Sequence, residues 1–99
     1  MSPPVHADVR SVLERLQTHG LLPLVEHVCQ LRGVTTLQVC SRARTQNLAR
    51  TRHEIWWRMR QLPDRHYSYA EIGLLFGRNH STIKCAVDAF QQRSARHSP

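Results

Sequence analysis

The polar segment at residues 78–82, RNHST, has the residue types that can read the edges of bases in a nucleic acid. Amide, imidazole and hydroxyl groups exchange hydrogen bonds with base edges, and arginine pairs with phosphate or guanine. The same segment is a poor candidate for catalysis. His80 precedes Ser81 directly, but neither an acidic orienting residue nor an oxyanion-hole element accompanies them, as acyl transfer would require. We therefore predict a binding protein and not an enzyme.

The charge of the chain indicates an anionic partner. Its 99 residues include 14 Lys and Arg against 7 Asp and Glu, a formal net charge of +7, and Lys84 is the single lysine. Arginine-rich domains of this kind suit phosphate groups and guanine edges. A solvated basic surface, or a coding bias toward arginine, is the alternative explanation. The most basic stretch, residues 41–60, contains Arg42, Arg44, Arg50, Arg52, Arg58 and Arg60.

Metal, cofactor and membrane functions have no support in the sequence. Cys29, Cys40 and Cys85 have no C-x-x-C spacing, and none of the seven histidines completes a zinc pattern, so we expect reduced thiols without a metal or cofactor. No apolar run approaches the roughly 18 residues of a membrane span, and the N-terminus has no signal-peptide core. We expect a cytoplasmic, nucleoid-associated protein.

The polar segment is positioned by two predicted helices within residues 67–90. Ser68 and Glu71 form an S-x-x-E capping box for the first helix, and Gly77 ends it because glycine adopts positive φ readily. The second helix has an apolar stripe at i, i+3, i+4 and i+7, namely Ile83, Ala86, Val87 and Phe90. Its polar residues then lie on or near the opposite face. This is the shape of a DNA-binding helix-turn-helix, and a hairpin that only completes a core is the alternative.

The rest of the chain is also predicted to be helical, which makes the fold class all-α. We predict an amphipathic helix at 6–18, a second helix at 21–32, a short helical turn capped by Thr35 or Thr36, a basic loop and a long helix that ends before Pro63. Trp56 should lie in the core and Trp57 should be more exposed. The domain division is 1–22 for the N-terminal helix and connector, 23–92 for a compact helical domain, and 93–99 for a flexible tail. The apolar stripe of the first helix either packs on this domain or packs against a second copy of the chain in a homodimer.

Two motifs carry a resemblance to a known family. The stretch SRARTQNLARTR, followed by YAEIGLLFGRNHSTIKCAV, resembles the C-terminal DNA-binding domain of the bacterial replication initiator DnaA, which has a Trp-repressor-like helix-turn-helix. That family has a basic loop, a long helix, an EIG-x-x-F-G helix and a G-R-D-H-[ST]-T-V motif. The resemblance covers roughly residues 24–91, and the two motifs have the separation found in the family.

The resemblance implies a set of DNA-binding residues. An arginine of the basic loop enters the minor groove in the family, and Arg44 matches it by spacing. The family's major-groove positions fall on residues 79–82, and further basic residues become phosphate contacts. The predicted DNA-binding residues are Arg42, Arg44, Arg50, Arg52, Arg78, Asn79, His80, Ser81, Thr82, Lys84 and Cys85.

Two departures from the family pattern predict an altered DNA site. Asn79 replaces the usual aspartate, and asparagine both donates and accepts, which suits adenine where aspartate suits cytosine. The turn also has one glycine where many relatives have two. No G-x-x-x-x-G-K-[ST] loop is present, so we expect a small transcriptional or replication regulator of double-stranded DNA without ATPase activity. The alternative is a protein-interaction module that retains the fold.

Overall fold

The computed structural model describes the backbone of residues 5–97 and the side chains of residues 9–95. Six α-helices and no strands occur within that range, which confirms the all-α class. None of these helices is long and apolar enough to span a membrane. The helices are α1 Val5–Thr18, α2 Leu22–Arg32, α3 Thr36–Cys40, α4 Gln46–Arg60, α5 Tyr69–Phe76 and α6 His80–His97.

Side-chain caps begin three of the helices. The predicted capping box of α5 is confirmed, because the Ser68 hydroxyl accepts from the Glu71 amide and the Glu71 carboxylate accepts from the Ser68 amide. Thr35 and Gln38 form the same arrangement at α3. The Thr45 hydroxyl accepts from the Leu48 amide, so α4 begins at Gln46, within the polar residues 41–47 that the sequence predicts as a loop. The cap was not singled out in the sequence because polar residues surround it.

Helix α4 lies at the centre of the fold and packs on α2, α3, α5 and α6. Ile55 and Met59 are fully buried in the core. Trp56 is only 2% exposed and meets Phe76 edge-to-face at 5.6 Å between ring centroids, while Trp57 is half-buried. Both tryptophan predictions are therefore confirmed, and α4 forms the scaffold that holds the helix-turn-helix.

Helix α1 packs within the domain. Val12 and Leu16 belong to the core, with Leu16 fully buried, and Arg15 Nε donates to the carbonyl of Leu75 at 3.1 Å. The helix contacts α2, α3 and α5. Because the apolar stripe is used inside the domain, the structure gives no support to the homodimer predicted through this helix.

The last helix continues further than the sequence suggested. Residues 93–97 are helical, although we predicted a flexible tail from residue 93, and Ser98 and Pro99 lie outside the described range. Glycine and proline are absent from residues 80–97, where glutamine, arginine and alanine favour helix. The helix therefore has no local signal to stop.

Candidate nucleic-acid interface

The turn between α5 and α6 depends on Gly77 in the turn and on Gly73 within α5. Gly77 has φ of 69°, and the carbonyl of Gly73 accepts from both the Gly77 amide and the Arg78 amide, the latter at 2.8 Å. A Cβ added at Gly73 would lie 2.5 Å from the carbonyl oxygen of Arg78. Gly73 therefore permits the close approach of the turn to α5. A glycine inside a helix is a sequence signal of close packing, and Gly73 is such a residue.

The first turns of α6 present the predicted base-reading residues to solvent. Ile83, Ala86 and Val87 face the core, which confirms the predicted apolar stripe. The exposed residues are Asn79, directly before the helix, and His80, Ser81, Thr82, Lys84 and Cys85 within it. Lys84 Nζ is paired with Asp88 Oδ2 at 3.1 Å, so its charge is partly neutralised by its own helix.

The basic loop, residues 41–45, lies against the helix-turn-helix. Arg42 Nη2 donates to the carbonyl of Gly77 at 3.3 Å, and Arg78 Nη2 donates to the carbonyl of Ser41 at 3.3 Å. These reciprocal hydrogen bonds join the loop to the turn. Arg44 is exposed and has no hydrogen-bond or ion-pair partner among the described residues.

Arg52 is buried, unlike Arg42 and Arg44. It is 5% exposed, and its guanidinium donates to the carbonyls of Val39 at 2.9 Å, Gln38 at 3.0 Å and Ser41 at 2.9 Å. These carbonyls belong to the end of α3 and the start of the basic loop. Only Nη1 remains for the phosphate contact predicted for Arg52, because Nε and Nη2 already donate inside the protein. We assign it to support of the loop.

Arg50 is also separated from the other predicted contacts. It is exposed but lines a different groove, between α4 and the C-terminal half of α6, beside Phe90 and Arg93. Positions 50 and 52 are two residues apart on a helix, so their side chains point in very different directions. The structure therefore brings together Arg42, Arg44 and Arg78 at the helix-turn-helix and leaves Arg50 on another face.

Arg42, Arg44, Arg52 and Arg78 form a cluster of positive charge. Burial lowers the pKa of Arg78, and the charges of Arg42 and Arg44 lower this pKa further. Burial also lowers the pKa of Arg52, with a further contribution from Arg78. The ion pairs within the described residues involve other bases, namely Arg32 and Arg58 with Glu54, Arg65 with Glu71, and Lys84 with Asp88. A cluster without a carboxylate attracts anions.

The cluster surrounds a groove of about 840 Å³ between the basic loop, the first half of α4 and the first half of α6. Ala49, Trp56 and Ala86 form its apolar part, whereas Ser81 and Thr82 contribute hydroxyls at its edge. A second, adjoining groove joins Arg42 and Arg44 to Asn79 and Thr82. The arginines of the loop and the polar residues of α6 therefore face common grooves.

The three cysteines differ in their exposure. Cys29 and Cys40 are buried and Cys85 is exposed on α6, and all three are free thiols. Burial raises the pKa of Cys40 to about 11, which makes this thiol inert. No group of three or more His, Cys, Asp or Glu in the described part of the chain is arranged to hold a metal ion.

Comparison with known proteins agrees with this geometry. The family profile for the bacterial DnaA protein helix-turn-helix matches residues 23–89, which include α2 to α5, the basic loop and the first half of α6. No curated protein and no solved structure gave a significant match to the chain. On the family match, the chain belongs to the family of bacterial DnaA helix-turn-helix domains, whose members bind double-stranded DNA.

Proposed function

We propose that this protein binds double-stranded DNA sequence-specifically, with the start of α6 in the major groove and Arg44 in the adjacent minor groove. Its role is that of a small transcriptional or replication regulator without ATPase activity. The observation that carries the proposal is the pair of hydrogen bonds between the basic loop and the turn, Arg42 to Gly77 and Arg78 to Ser41. They hold an exposed, unpaired arginine beside the polar face of α6.

Affinity and specificity come from different residues in this mode of binding. The arginines of the loop and turn neutralise phosphates, which provides most of the affinity and makes it depend on salt. The amides at the start of α6 favour a phosphate as well. Asn79, His80, Ser81 and Thr82 read base edges, since the N-terminal residues of a recognition helix contact the bases.

Asn79 is the residue that sets this protein apart in its choice of base. Its amide can accept from and donate to adenine at N6 and N7, whereas an aspartate accepts from cytosine N4. A favourable bidentate contact discriminates against the wrong base by about 1–3 kcal/mol. The preferred site should therefore be related to the DnaA box but differ from it at the base pair that Asn79 contacts.

A binding-site selection on random duplexes at two salt concentrations tests the proposal. We expect one preferred sequence, and we expect Asn79→Asp to change the preferred base at a single position toward cytosine. Arg44→Ala should weaken binding and remove the preference at neighbouring base pairs. Gln92→Ala, at an exposed position far along α6, is the control and should select the same site as the wild type. A wild-type protein without preference over scrambled duplexes contradicts the proposal.

One observation favours a protein-interaction module as a second function. Leu74 on α5 is 76% exposed and lines the groove beside Arg42 and Arg44. A large exposed apolar side chain among cations suits a protein surface as well as DNA. The salt series separates the two functions. DNA binding through several phosphates weakens steeply with salt. Leu74→Ser should leave DNA binding unchanged, whereas the same substitution should weaken an apolar contact with a protein partner.

A further inference from the structure

The groove between the basic loop and α6 contains an unusual concentration of unpaired polar atoms. Within the described residues, four buried side-chain nitrogens lack a hydrogen-bond partner: His53 Nδ1, Trp56 Nε1, Trp57 Nε1 and Arg78 Nε. Three of these belong to residues that line this one groove, and Trp57 is the exception. Buried polar groups are normally hydrogen-bonded, so each such exception calls for an explanation.

The three groups lie close to one another. The rings of His53 and Trp56 are 6.4 Å apart between centroids, and Arg78 Cζ lies 5.9 Å from the centroid of the Trp56 ring. An indole N–H and a guanidinium Nε–H can only donate. His53 also donates from Nδ1 in the tautomer that protonates this atom. The set therefore offers up to three neighbouring donors that have no hydrogen-bond partner in the described residues.

Charge and size restrict what can accept these hydrogen bonds. Arg42, Arg44 and Arg52 add positive charge at the same groove, and none of them is paired with a carboxylate in the described part of the chain. A neutral acceptor would not offset this charge. Trp56 is only 2% exposed and lines the groove together with Arg78 and His53. The ligand must be small, negatively charged and rich in oxygen acceptors.

We propose that His53, Trp56 and Arg78 form a binding site for one tetrahedral oxyanion, a phosphate group. Two sources have this chemistry, inorganic phosphate and the backbone of DNA. The DNA source rests on the proposed function. If Arg44 lies in the minor groove and α6 in the major groove, the strand that separates the two grooves crosses directly over this site.

Inorganic phosphate is the first probe, because its binding does not require that the protein bind DNA. The full chain, labelled with ¹⁵N, is titrated with phosphate at constant ionic strength while the two indole N–H signals are followed by NMR. We expect the Trp56 signal to move in a saturable way and the Trp57 signal to stay in place, since the Trp57 nitrogen is equally unpaired but lies outside the groove. Chloride at the same ionic strength should not reproduce the movement.

Variants test the assignment to the groove. Arg78→Gln removes the positive charge and should weaken phosphate binding at least 10-fold. Arg50→Gln, on the other face of α4, should not change it. A Trp56 signal that does not respond, or that moves together with that of Trp57 in phosphate and chloride alike, overturns the proposal. This readout needs no variant, so it remains decisive if Arg78→Gln does not fold.

A titration with the selected DNA duplex identifies the source. If a backbone phosphate occupies the site, saturating duplex shifts the Trp56 signal and abolishes its response to inorganic phosphate. If the response to inorganic phosphate persists in the complex, the site binds the free anion. A positive phosphate titration without any DNA binding would refute the proposed function and leave the oxyanion site intact, so the two failures are distinguishable.

Discussion

Replacing Arg52 by glutamine tests whether this arginine supports the basic loop or contacts DNA. The guanidinium donates three hydrogen bonds, two to carbonyls of α3 and one to the carbonyl of Ser41. Glutamine is neutral and shorter and keeps a single amide donor group, so we expect at least two of these bonds to be lost. The carbonyl of Ser41 also accepts from Arg78, which makes the loop sensitive to the change.

The expected loss of stability follows from those bonds. Hydrogen bonds to a charged group contribute about 1.5–3 kcal/mol each, and part of the loss is offset as carbonyls gain water. We expect the free energy of unfolding to fall by about 2–4 kcal/mol, out of about 5–15 kcal/mol for a domain of this kind. The melting temperature should fall by roughly 8–32 °C, because a domain of this size loses about 4–8 °C per kcal/mol.

Thermal unfolding and the salt dependence of DNA binding together decide the question. A phosphate contact contributes about 0.9 to the slope of log K against log salt concentration. We expect Arg52→Gln to have a lower melting temperature than the wild type. At a temperature where the variant remains folded, its DNA binding should have the same salt slope as the wild type. Arg50→Gln, exposed on the same helix, is the matched control and should change the stability by less than about 0.5 kcal/mol. Unchanged stability of Arg52→Gln with a slope reduced by about one would refute the supporting role.

Two further substitutions test the turn and the groove. Gly73→Ala should lower the free energy of unfolding by about 1–3 kcal/mol in denaturant titrations, because the new Cβ would lie 2.5 Å from the Arg78 carbonyl, while Leu74→Ala at the exposed neighbouring position should have little effect. A Gly73→Ala protein as stable as the wild type would contradict the tight turn. Burial, Arg93 and then Arg52 lower the pKa of His53 below its ordinary value of 6.5. The imidazole of His53 therefore binds a proton more tightly in the unfolded chain than in the folded protein, and stability is lost as the pH falls through 6.5. His53→Gln should therefore flatten the stability profile between pH 7.5 and about 5.5, and an unchanged profile would contradict this.

Local signals made the helix-turn-helix predictable. The capping box of Ser68 and Glu71, the terminating Gly77 and the stripe from Ile83 depend on residues within a few positions of one another. The start of α4 was predicted too late, because the Thr45 cap stands among other polar residues. Here the packing of Leu48 in the core, and not the local pattern, decides that the helix forms.

The roles of the arginines were less predictable. In residues 41–60 the sequence shows six similar side chains, yet Arg52 is buried, Arg58 is paired with Glu54, and Arg60 donates to the Tyr67 carbonyl and stacks over Tyr69. The partners of these residues lie in other parts of the fold. Periodicity therefore predicts that a helix is present but does not tell which of its cations remain available to a ligand.

The two hydrogen bonds between the basic loop and the turn also fix a spacing. Because Arg42 is bonded to Gly77 and Arg78 to Ser41, the loop cannot slide relative to α6 without breaking both contacts. In the proposed complex the basic loop and α6 thus contact the DNA at a fixed distance from each other. An inserted base pair would displace one half of the recognition sequence by about 3.4 Å along the duplex axis. We therefore expect that the protein does not tolerate an inserted base pair between the part of its site that it contacts in the minor groove and the part that it contacts in the major groove.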